Sequence, residues 1–384
     1  MAKIQQDEAI KILQDFIKVE TDNKNEEELA LYIQDLFNAH GIASELIEYS
    51  EGRKHILAEI ENGSSDTVLG LSGHLDVVAV SEPDKWTHDP FGGEIEDGKM
   101  YGRGTSDMKS GLAALVIAMI NAKEAGQFNG KVRFYGTTDE ESGLEGSKHL
   151  ADLGYAKNLD AMLIGEPQHG NVVDLNAGGI VYRVISRGAA GHSSKPELGV
   201  NAIDNLVDYI AIVRERIYAE INKAENINPR IGKLVHTLAT IAGGIQSNII
   251  PDRSDALFSA RTTPTFTNEH YKDIVGQVIN ECNQKNDAQL EVVVEREFTP
   301  AVGPENSRLI EVIQSSSHEE NVQREAMSGG TDLSEFQRGN LDMEVAVYGP
   351  GEFELAHIID EYVYVDSYLN FIHTYENIIN NYLS

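Results

Sequence analysis

Short apolar segments alternate with amphipathic helical patterns along much of the chain, and this alternation limits the possible folds more than any other feature. Apolar residues at helical spacing indicate two opening helices, around 9–17 and 29–37, and further helices at 108–125 and 144–153. Short apolar runs indicate strands at 56–60, 68–71, 132–135 and 162–164. Strands that alternate with helices predict an α/β domain with a helix-covered mixed sheet.

The alternation is interrupted between residues 178 and 295. The order there is a strand at 180–186, a helix at 201–222, strands near 236–242 and 255–261, a helix at 270–282 and a strand at 290–295. This order predicts a separate α+β domain with an antiparallel sheet. The alternation resumes with a helix at 307–317, a strand at 343–348 and a helix at 366–383. We therefore predict a main domain made of 1–177 and 296–384, with a second domain, 178–295, inserted into it.

The charge balance excludes two classes of partner. The chain of 384 residues carries 62 Asp and Glu against 31 Lys and Arg, a formal net charge of −31, and no basic run offsets it. Nucleic acid and anionic membranes are therefore poor partners.

The one cysteine, Cys282, excludes an intramolecular disulfide and fits a reducing compartment. The N-terminus lacks a signal-peptide pattern, and the longest apolar stretch, 112–120, is about half of the ~20 residues that span a membrane, so we expect a cytoplasmic protein.

Residues suited to metal and acid–base chemistry follow the predicted strands. They are His74 and Asp76 after 68–71, Asp139, Glu140 and Glu141 after 132–135, and Glu166 after 162–164. Because α/β sheets bind ligands at the carboxyl ends of their strands, we expect these side chains to meet. A histidine that binds metal through one nitrogen needs an oxygen at the other, and the Asp76 carboxylate is a candidate. Taken alone, His74 could equally be a hydrogen-bonded histidine at a strand end.

The adjacent carboxylates at 139–141 need a compensating positive charge, because their mutual repulsion would otherwise raise their pKa values. A pair of metal ions is one compensator, and a solvated acidic turn is the alternative. Asp107 ends the segment Gly102-Arg103-Gly104-Thr105-Ser106-Asp107, just before the helix at 108–125. It could be a plain N-cap. A dinucleotide-binding loop is excluded because Asp107 stands where the third glycine belongs.

A last segment, Gly349-Pro350-Gly351 followed by His357 and Asp360-Glu361, completes the set. In order across nearly the whole chain, these segments resemble the aminoacylase, acetylornithine deacetylase and succinyl-diaminopimelate desuccinylase family of dinuclear metallohydrolases. The resemblance implies two divalent ions, with zinc expected and cobalt or manganese as alternatives. The implied ligands are His74, Asp107 and Glu166 for one ion, and Asp107, Glu141 and His357 for the other. Asp107 bridges the two ions in this arrangement, and a cis peptide bond to Met108 is expected after it.

This ligand set is chemically consistent. Each ion receives one imidazole, one terminal carboxylate and a share of the bridge, which leaves room for a water. Two divalent ions against the carboxylates of Asp107, Glu141 and Glu166 leave about one net positive charge to acidify that water. Glu140, beside the ligand Glu141, then occupies the place where the family keeps its general base.

The resemblance extends into the inserted domain, which it identifies as a lid and dimerisation domain. Asp76 is expected to serve catalysis through His74, and His192, in Gly191-His192-Ser193-Ser194, to donate a hydrogen bond to the oxyanion. Asn248 is expected to line the substrate site and Arg261 to bind a substrate carboxylate, since a guanidinium fork suits two oxygens. Thr331, in Ser328-Gly329-Gly330-Thr331-Asp332, is expected near the substrate. A homodimer is the expected assembly.

We therefore expect a metal-dependent amidohydrolase that removes an N-acyl group from an amino acid. The segments at 247–251 and 328–332 look nearer to succinyl-diaminopimelate desuccinylases than to acetylornithine deacetylases. An acetylornithine deacetylase, or a dipeptidase or carboxypeptidase acting on short peptides, is the alternative within the family. A metal-binding homologue without turnover is the alternative outside it, although Glu140 argues for catalysis. A serine hydrolase is excluded because the sequence has no G-x-S-x-G elbow.

Overall fold

The computed structural model describes residues 3–22, 25–168, 170–285 and 289–384. The helices are α1 Gln6–Lys18, α2 Glu26–Ala39, α3 Lys109–Ala125, α4 Glu145–Asp152, α5 Ala202–Ile221, α6 Asn268–Lys285, α7 Arg308–Ser316, α8 Leu333–Gly339 and α9 Val365–Tyr382. The strands are β1 Ser44–Ser50, β2 Arg53–Asn62, β3 Val68–His74, β4 Glu94–Glu96, β5 Lys99–Tyr101, β6 Gly130–Thr137, β7 Ala161–Pro167, β8 Val172–Asn176, β9 Gly178–Arg187, β10 Val235–Gly243, β11 Arg253–Thr262, β12 Gln289–Phe298, β13 Ala301–Val302, β14 Arg324–Met327, β15 Glu344–Gly349 and β16 Tyr362–Tyr364.

The chain forms two compact units. The first comprises Met1–Asp174, Val302–Glu325 and Thr331–Ser384, and the second comprises Leu175–Ala301 and Ala326–Gly330. The second unit thus includes a short segment, 326–330, that lies far along the chain from the rest of it. The assignment of this unit as a lid and dimerisation domain stays a prediction.

The first unit contains most of a large mixed sheet with strand order β1-β2-β6-β3-β7-β15-β8-β13, and β14 pairs with β8. Its four central strands, β6, β3, β7 and β15, are parallel. Helix α3 is buried almost all round, which explains its nearly unbroken apolar sequence from Leu112 to Ile120. It packs mainly against α9, while α1 also contacts α3. The expectation of a helix-covered mixed sheet is confirmed.

The second unit is built on a four-stranded antiparallel sheet of order β10-β11-β9-β12. Helices α5 and α6 pack together and supply buried residues such as Tyr209, Val213 and Tyr271 to one core. Asn201 caps α5 by accepting hydrogen bonds from the N–H groups of Ile203 and Asp204. The predicted α+β organisation with an antiparallel sheet is confirmed.

Several short elements were not predicted. Strands β5, β4 and β16 form a separate three-stranded sheet, and each has only three residues. Segments this short carry too few side chains to show a period. Strand β1 lies at the edge of the large sheet and none of its residues is buried, so its sequence lacks the apolar run that marks a central strand. Among the described residues, no helix combines the length and apolar character that a bilayer crossing requires.

Candidate metal centre

The candidate site lies where the central parallel strands end. Strand β3 ends at His74 itself, Glu166 is the penultimate residue of β7, and Glu140 and Glu141 follow the end of β6. Because these strands are parallel neighbours, their carboxyl ends lie at one edge of the sheet. Asp107 comes two residues before α3, and the peptide bond between Asp107 and Met108 is cis, as expected.

One group of possible metal ligands consists of His74, Asp107 and Glu166. The Nε2 atom of His74 lies 3.1 Å from Oδ1 of Asp107 and 3.5 Å from Oε1 of Glu166. Both His74 and Glu166 are buried. All three ligand atoms lie within 4.8 Å of one another, so a single ion could contact each of them.

The second group consists of Asp107, Glu141 and His357. The Nε2 atom of His357 lies 3.1 Å from Oε1 of Glu141 and 3.3 Å from Oδ2 of Asp107. The two groups share Asp107, which offers a different oxygen to each histidine. The structure thus brings together the five side chains that the resemblance named as ligands.

Asp76 supports this site in two ways. His74 donates a hydrogen bond from Nδ1 to the backbone carbonyl of Asp76 at 2.8 Å, while the Asp76 carboxylate lies 3.8 Å away. The sequence led us to expect the carboxylate as the hydrogen-bond partner, but the carbonyl has that place. The carboxylate instead accepts the N–H groups of Glu140 and Glu141 at 3.2 and 3.1 Å. Asp76 therefore orients both a possible ligand and the loop that carries the expected base.

The buried ion pair of Arg103 and Glu361 holds the backbone of Asp107, the residue shared by the two ligand groups. Glu361 accepts hydrogen bonds from the N–H groups of Ser106 and Asp107 at 2.8 and 3.0 Å, and pairs with Arg103 at 2.5 Å. Arg103 also donates to the carbonyl of His357 at 3.4 Å. The pair therefore joins the loops of two possible ligands. The sequence placed Arg103 and Glu361 in the right segments but gave neither a role.

Helix α3 reaches the site through a close approach to β7. A Cβ atom on Gly111 would lie 1.8 Å from the carbonyl oxygen of Gly165, and one on Gly349 would lie 2.2 Å from the same atom. Only glycine fits at these two positions. The tight packing fixes α3 and β15 against the residue that precedes Glu166.

The electrostatics of the site reflect crowded carboxylates. Burial raises the pKa of Glu166, and the charge of Asp107 raises it further. Burial also raises the pKa of Glu140 well above its ordinary value, His74 opposes this, and Glu166 adds to it. Although burial alone would raise the pKa of Asp107, hydrogen bonds from His357 and His74 hold it well below its usual range. The crowding thus disfavours ionisation of Glu140 and Glu166 and leaves Asp107 as the carboxylate whose charged form is favoured.

The donor set fits a pair of divalent ions. In the described part of the chain, Asp107, Glu141 and Glu166 form ion pairs with His74 and His357 and with no lysine or arginine. Imidazole nitrogen and carboxylate oxygen are ligands that zinc, cobalt and manganese accept. Metal ions would replace the positive charge that protonated His74 and His357 otherwise bring to these carboxylates.

The remaining predicted site residues lie elsewhere in the chain. His192 and Asn248 are exposed in neighbouring loops of the second unit, where the N–H of Ser193 donates to the Asn248 carbonyl at 3.2 Å. Arg261 is exposed on β11, with its guanidinium 5.7 Å from the centre of the Phe298 ring. Thr331 is buried in the first unit, and its neighbour Asp332 accepts a hydrogen bond from Thr137 at 2.5 Å. This contact places Thr331 near the end of β6.

Comparisons with known proteins identify the family and the fold. The sequence model that describes peptidase family M20/M25/M40 matches residues 70–381 of this chain. A probable succinyl-diaminopimelate desuccinylase of Staphylococcus aureus (strain MSSA476) is 35% identical, covering 100% of this chain and 99% of the relative. A succinyl-diaminopimelate desuccinylase of Ehrlichia canis (strain Jake) is 25% identical, covering 98% of each chain. The solved structure of an M20 family metallo-carboxypeptidase from Sulfolobus solfataricus shares the fold with a TM-score of 0.79 at 18% identity, covering 98% of this chain and 99% of that one.

Proposed function

The chain belongs to peptidase family M20/M25/M40, and from that premise we propose that it is a succinyl-diaminopimelate desuccinylase that uses two zinc ions. The family makes it a metallohydrolase that cleaves amide bonds. The finer assignment concerns the acyl group and the amino acid. Its support is the name shared by relatives that are 35% identical over the whole chain.

The single observation that carries a hydrolytic role is the pair of ligand groups sharing Asp107, with Glu140 next in sequence to Glu141. Metal retention needs only the ligands. A carboxylate whose backbone N–H is fixed by Asp76, next to those ligands, is best explained by catalysis. This observation favours an enzyme over a metal-binding homologue without turnover.

When bound, two divalent ions supply a Lewis acid for the substrate carbonyl and lower the pKa of the attacking water. Glu140 accepts the proton of that water and delivers it to the leaving amine. Burial raises the pKa of the Glu140 carboxyl above its ordinary value, and a raised pKa makes a carboxylate a stronger base. The fixed backbone of the loop keeps the carboxylate in place during the transfer.

Three residues of the second unit and Thr331 of the first unit complete the proposal, which here rests on the family resemblance. His192 donates a hydrogen bond to the oxyanion, Asn248 lines the substrate site, and Arg261 binds the free carboxylate of the substrate. Thr331 contributes a hydroxyl group near the substrate. A homodimer formed through the second unit is part of the same proposal.

A substrate panel tests the assignment. Zinc-reconstituted protein is assayed with N-succinyl-diaminopimelate, N-acetylornithine, dipeptides and peptides with a free C-terminus. We expect kcat/KM for the succinyl substrate to exceed the others at least about tenfold, because a pocket built for a second carboxylate leaves its polar groups unpaired with an acetyl group. Higher kcat/KM for a dipeptide would replace the desuccinylase assignment with a peptidase one, and Glu140→Gln serves as the inactive control.

A further inference from the structure

The β1–β2 hairpin directs three side chains at the loop that carries the proposed base. We call residues 138–141 the base loop, and Tyr49, Arg53 and His55 the hairpin clamp. Tyr49 lies in β1, whereas Arg53 and His55 lie in β2, just across the tight turn. Arg53 and His55 are buried, and the Arg53 guanidinium lies 5.3 Å from the centre of the Tyr49 ring.

Two members of the hairpin clamp bind Asp139, the residue before the proposed base. The Tyr49 hydroxyl donates to Oδ2 of Asp139 at 2.8 Å, and Nη2 of Arg53 lies 2.9 Å from Oδ1. Asp139 is buried and has a φ of 61°, in the left-handed region that non-glycine residues rarely adopt. Contacts on both carboxylate oxygens hold this conformation in place.

His55, the third member of the hairpin clamp, binds Thr138, the residue before Asp139. Nδ1 of His55 accepts the N–H of Thr138 at 3.2 Å, and its Nε2 lies 3.3 Å from Nδ1 of His149. Burial, followed by the charges of His149 and Arg53, lowers the pKa of His55 to about 3, so the ring is neutral and keeps a lone pair for Thr138. Consecutive residues of the base loop are thus held by one hairpin.

Arg53 also changes the charge balance of the three adjacent carboxylates. Its guanidinium contacts Asp139 and forms hydrogen bonds of 3.0 and 2.9 Å with Glu26, the first residue of α2, which is fully buried. Asp139 therefore has a cationic partner within the protein, which it shares with Glu26. Glu140 and Glu141 remain as the carboxylates of the base loop that face the metal centre.

We propose that Asp139 is a positioning residue that, gripped by the hairpin clamp, fixes the base loop so that Glu141 reaches its ion and Glu140 the attacking water. The inference rests on the proposed function for the roles of these two glutamates. Asp139 holds the loop through its side chain, while Asp76 holds it through the backbone N–H groups of Glu140 and Glu141. A loop tied at both points has little freedom to swing a ligand away.

The test is a calorimetric titration of the metal-free full chain with zinc ions, alongside steady-state kinetics of the zinc-loaded protein. Asp139→Asn is the main variant, because it removes the charge and leaves Arg53 paired with Glu26, so the fold survives. Tyr49→Phe removes one hydrogen bond from Asp139 and keeps the ion pair. Glu59→Gln is the matched control, because Glu59 pairs with Arg133 across β2 and β6 at 2.7 Å, away from the base loop.

We expect Asp139→Asn to weaken one of the two zinc-binding steps about 10- to 100-fold and to lower kcat similarly with little change in KM, as for partners that orient metal ligands. Tyr49→Phe should weaken the same zinc-binding step and lower kcat by about fivefold each, because it removes one hydrogen bond to Asp139. Glu59→Gln should match the wild type in both measurements. A role limited to stability would lower Tm alone.

Two results separate this inference from the proposed function. Wild-type zinc affinities and kcat in Asp139→Asn would overturn the positioning role, even in an active desuccinylase. Conversely, weakened zinc binding in Asp139→Asn supports that role even if the wild-type protein hydrolyses none of the N-acyl substrates, a result that would count against the proposed function instead.

Discussion

At the scale of single residues, Asp107 determines how the site is arranged. Its Oδ1 lies 3.1 Å from His74 and its Oδ2 3.3 Å from His357, so each oxygen belongs to a different ligand group. A carboxylate placed in this way would hold two cations close together. When bound, the two ions would supply a Lewis acid for the substrate carbonyl and lower the pKa of the attacking water.

Glu140 provides the first test at this scale. Glu140→Gln should keep both metal ions yet lower kcat by at least about a thousandfold, because the amide preserves the shape of the side chain but cannot accept a proton. Metal analysis of the purified variant and single-turnover kinetics are the measurements. Asp66→Asn, an exposed change elsewhere in the chain, serves as the control. Activity within tenfold of the wild type would remove Glu140 from the role of base.

The protonation of the ligands predicts a pH dependence of metal binding. Hydrogen bonds to Asp107 and Glu141 raise the pKa of His357 to about 10 without an ion, and carboxylates raise that of His74 against the effect of burial. Both imidazoles therefore carry protons at neutral pH, and zinc must displace them. Zinc affinity should fall about tenfold per pH unit for each proton released as the pH is lowered from 8 to 6. Calorimetry in buffers of different ionisation enthalpy measures the release, and pH-independent affinity would contradict it.

Arg261 is the residue on which substrate selectivity is expected to depend. Arg261→Ala should lower kcat/KM about 100-fold for N-acyl amino acids with a free carboxylate and much less for the matching amides. The net charge of the chain does not oppose this, because distant charges are screened beyond about 10 Å whereas a guanidinium acts in contact. Measurements of kcat/KM with matched acid and amide substrates test this prediction. Equal losses for both kinds of substrate would exclude carboxylate recognition by Arg261.

At the scale of elements, the site is a consequence of parallel strands ending side by side. Periodicity in the sequence predicted β3, β6 and β7, and the rule that ligands bind at strand ends then predicted where His74 and Glu166 meet. Of the partners that orient the ligands, Asp76 was predicted, although its carbonyl rather than its carboxylate binds His74, and the others were not predicted. Glu361 binds Ser106, 255 positions earlier in the sequence, and Arg53 of the β1–β2 hairpin binds Asp139. Sequence periodicity does not predict such pairs, because only tertiary packing brings these residues together.

The buried pair of Arg103 and Glu361 gives a prediction at this scale. Glu361→Gln should lower the free energy of unfolding of the metal-free protein by about 3 kcal/mol, because it leaves the Arg103 charge buried without its partner. Zinc affinity should fall as well, since Asp107 loses an oriented backbone contact. Chemical denaturation and zinc titration measure the two effects.

The neighbouring residue offers a matched control for that change. Asp360 accepts hydrogen bonds from the N–H and hydroxyl of Thr87, both at 2.8 Å, outside the ligand groups. Asp360→Asn should cost no more than about 1 kcal/mol and leave zinc affinity unchanged. If both variants behave alike, the pair of Arg103 and Glu361 has no special part in holding the site.

At the scale of the whole molecule, the second unit has edge strands that invite a partner. Its sheet ends in β10 and β12, and Val292, Val293 and Val294 on β12 are 39%, 40% and 45% exposed. Natural proteins seldom leave such an edge open to solvent, because unpaired strands associate. Pairing with the same edge of a second copy across a twofold axis would cover it. This supports the proposed homodimer.

The last prediction concerns how the two copies share an active site. His192 is exposed, and its Nδ1 lies 2.8 Å from the Ser194 hydroxyl, which leaves Nε2 to act on a substrate. We expect His192 to serve the metal centre of the other subunit. His192→Ala and Glu140→Ala should each be inactive alone. In a mixed dimer, the chain with His192→Ala keeps its own Glu140 and receives an intact His192 from its partner, so one of the two sites is complete.

Mixed dimers purified through two different tags should therefore recover about half of the wild-type kcat per dimer, because one site of two is whole. The control is a dimer of wild-type chain with the double variant His192→Ala, Glu140→Ala. There the wild-type chain receives no His192 from its partner and the other chain has no base, so sharing predicts no activity. If His192 acts within its own chain, the two outcomes are exchanged: the first dimer is inactive and the control keeps about half of the activity. The pair of dimers therefore distinguishes the two arrangements whichever is correct, without depending on the identity of the metal.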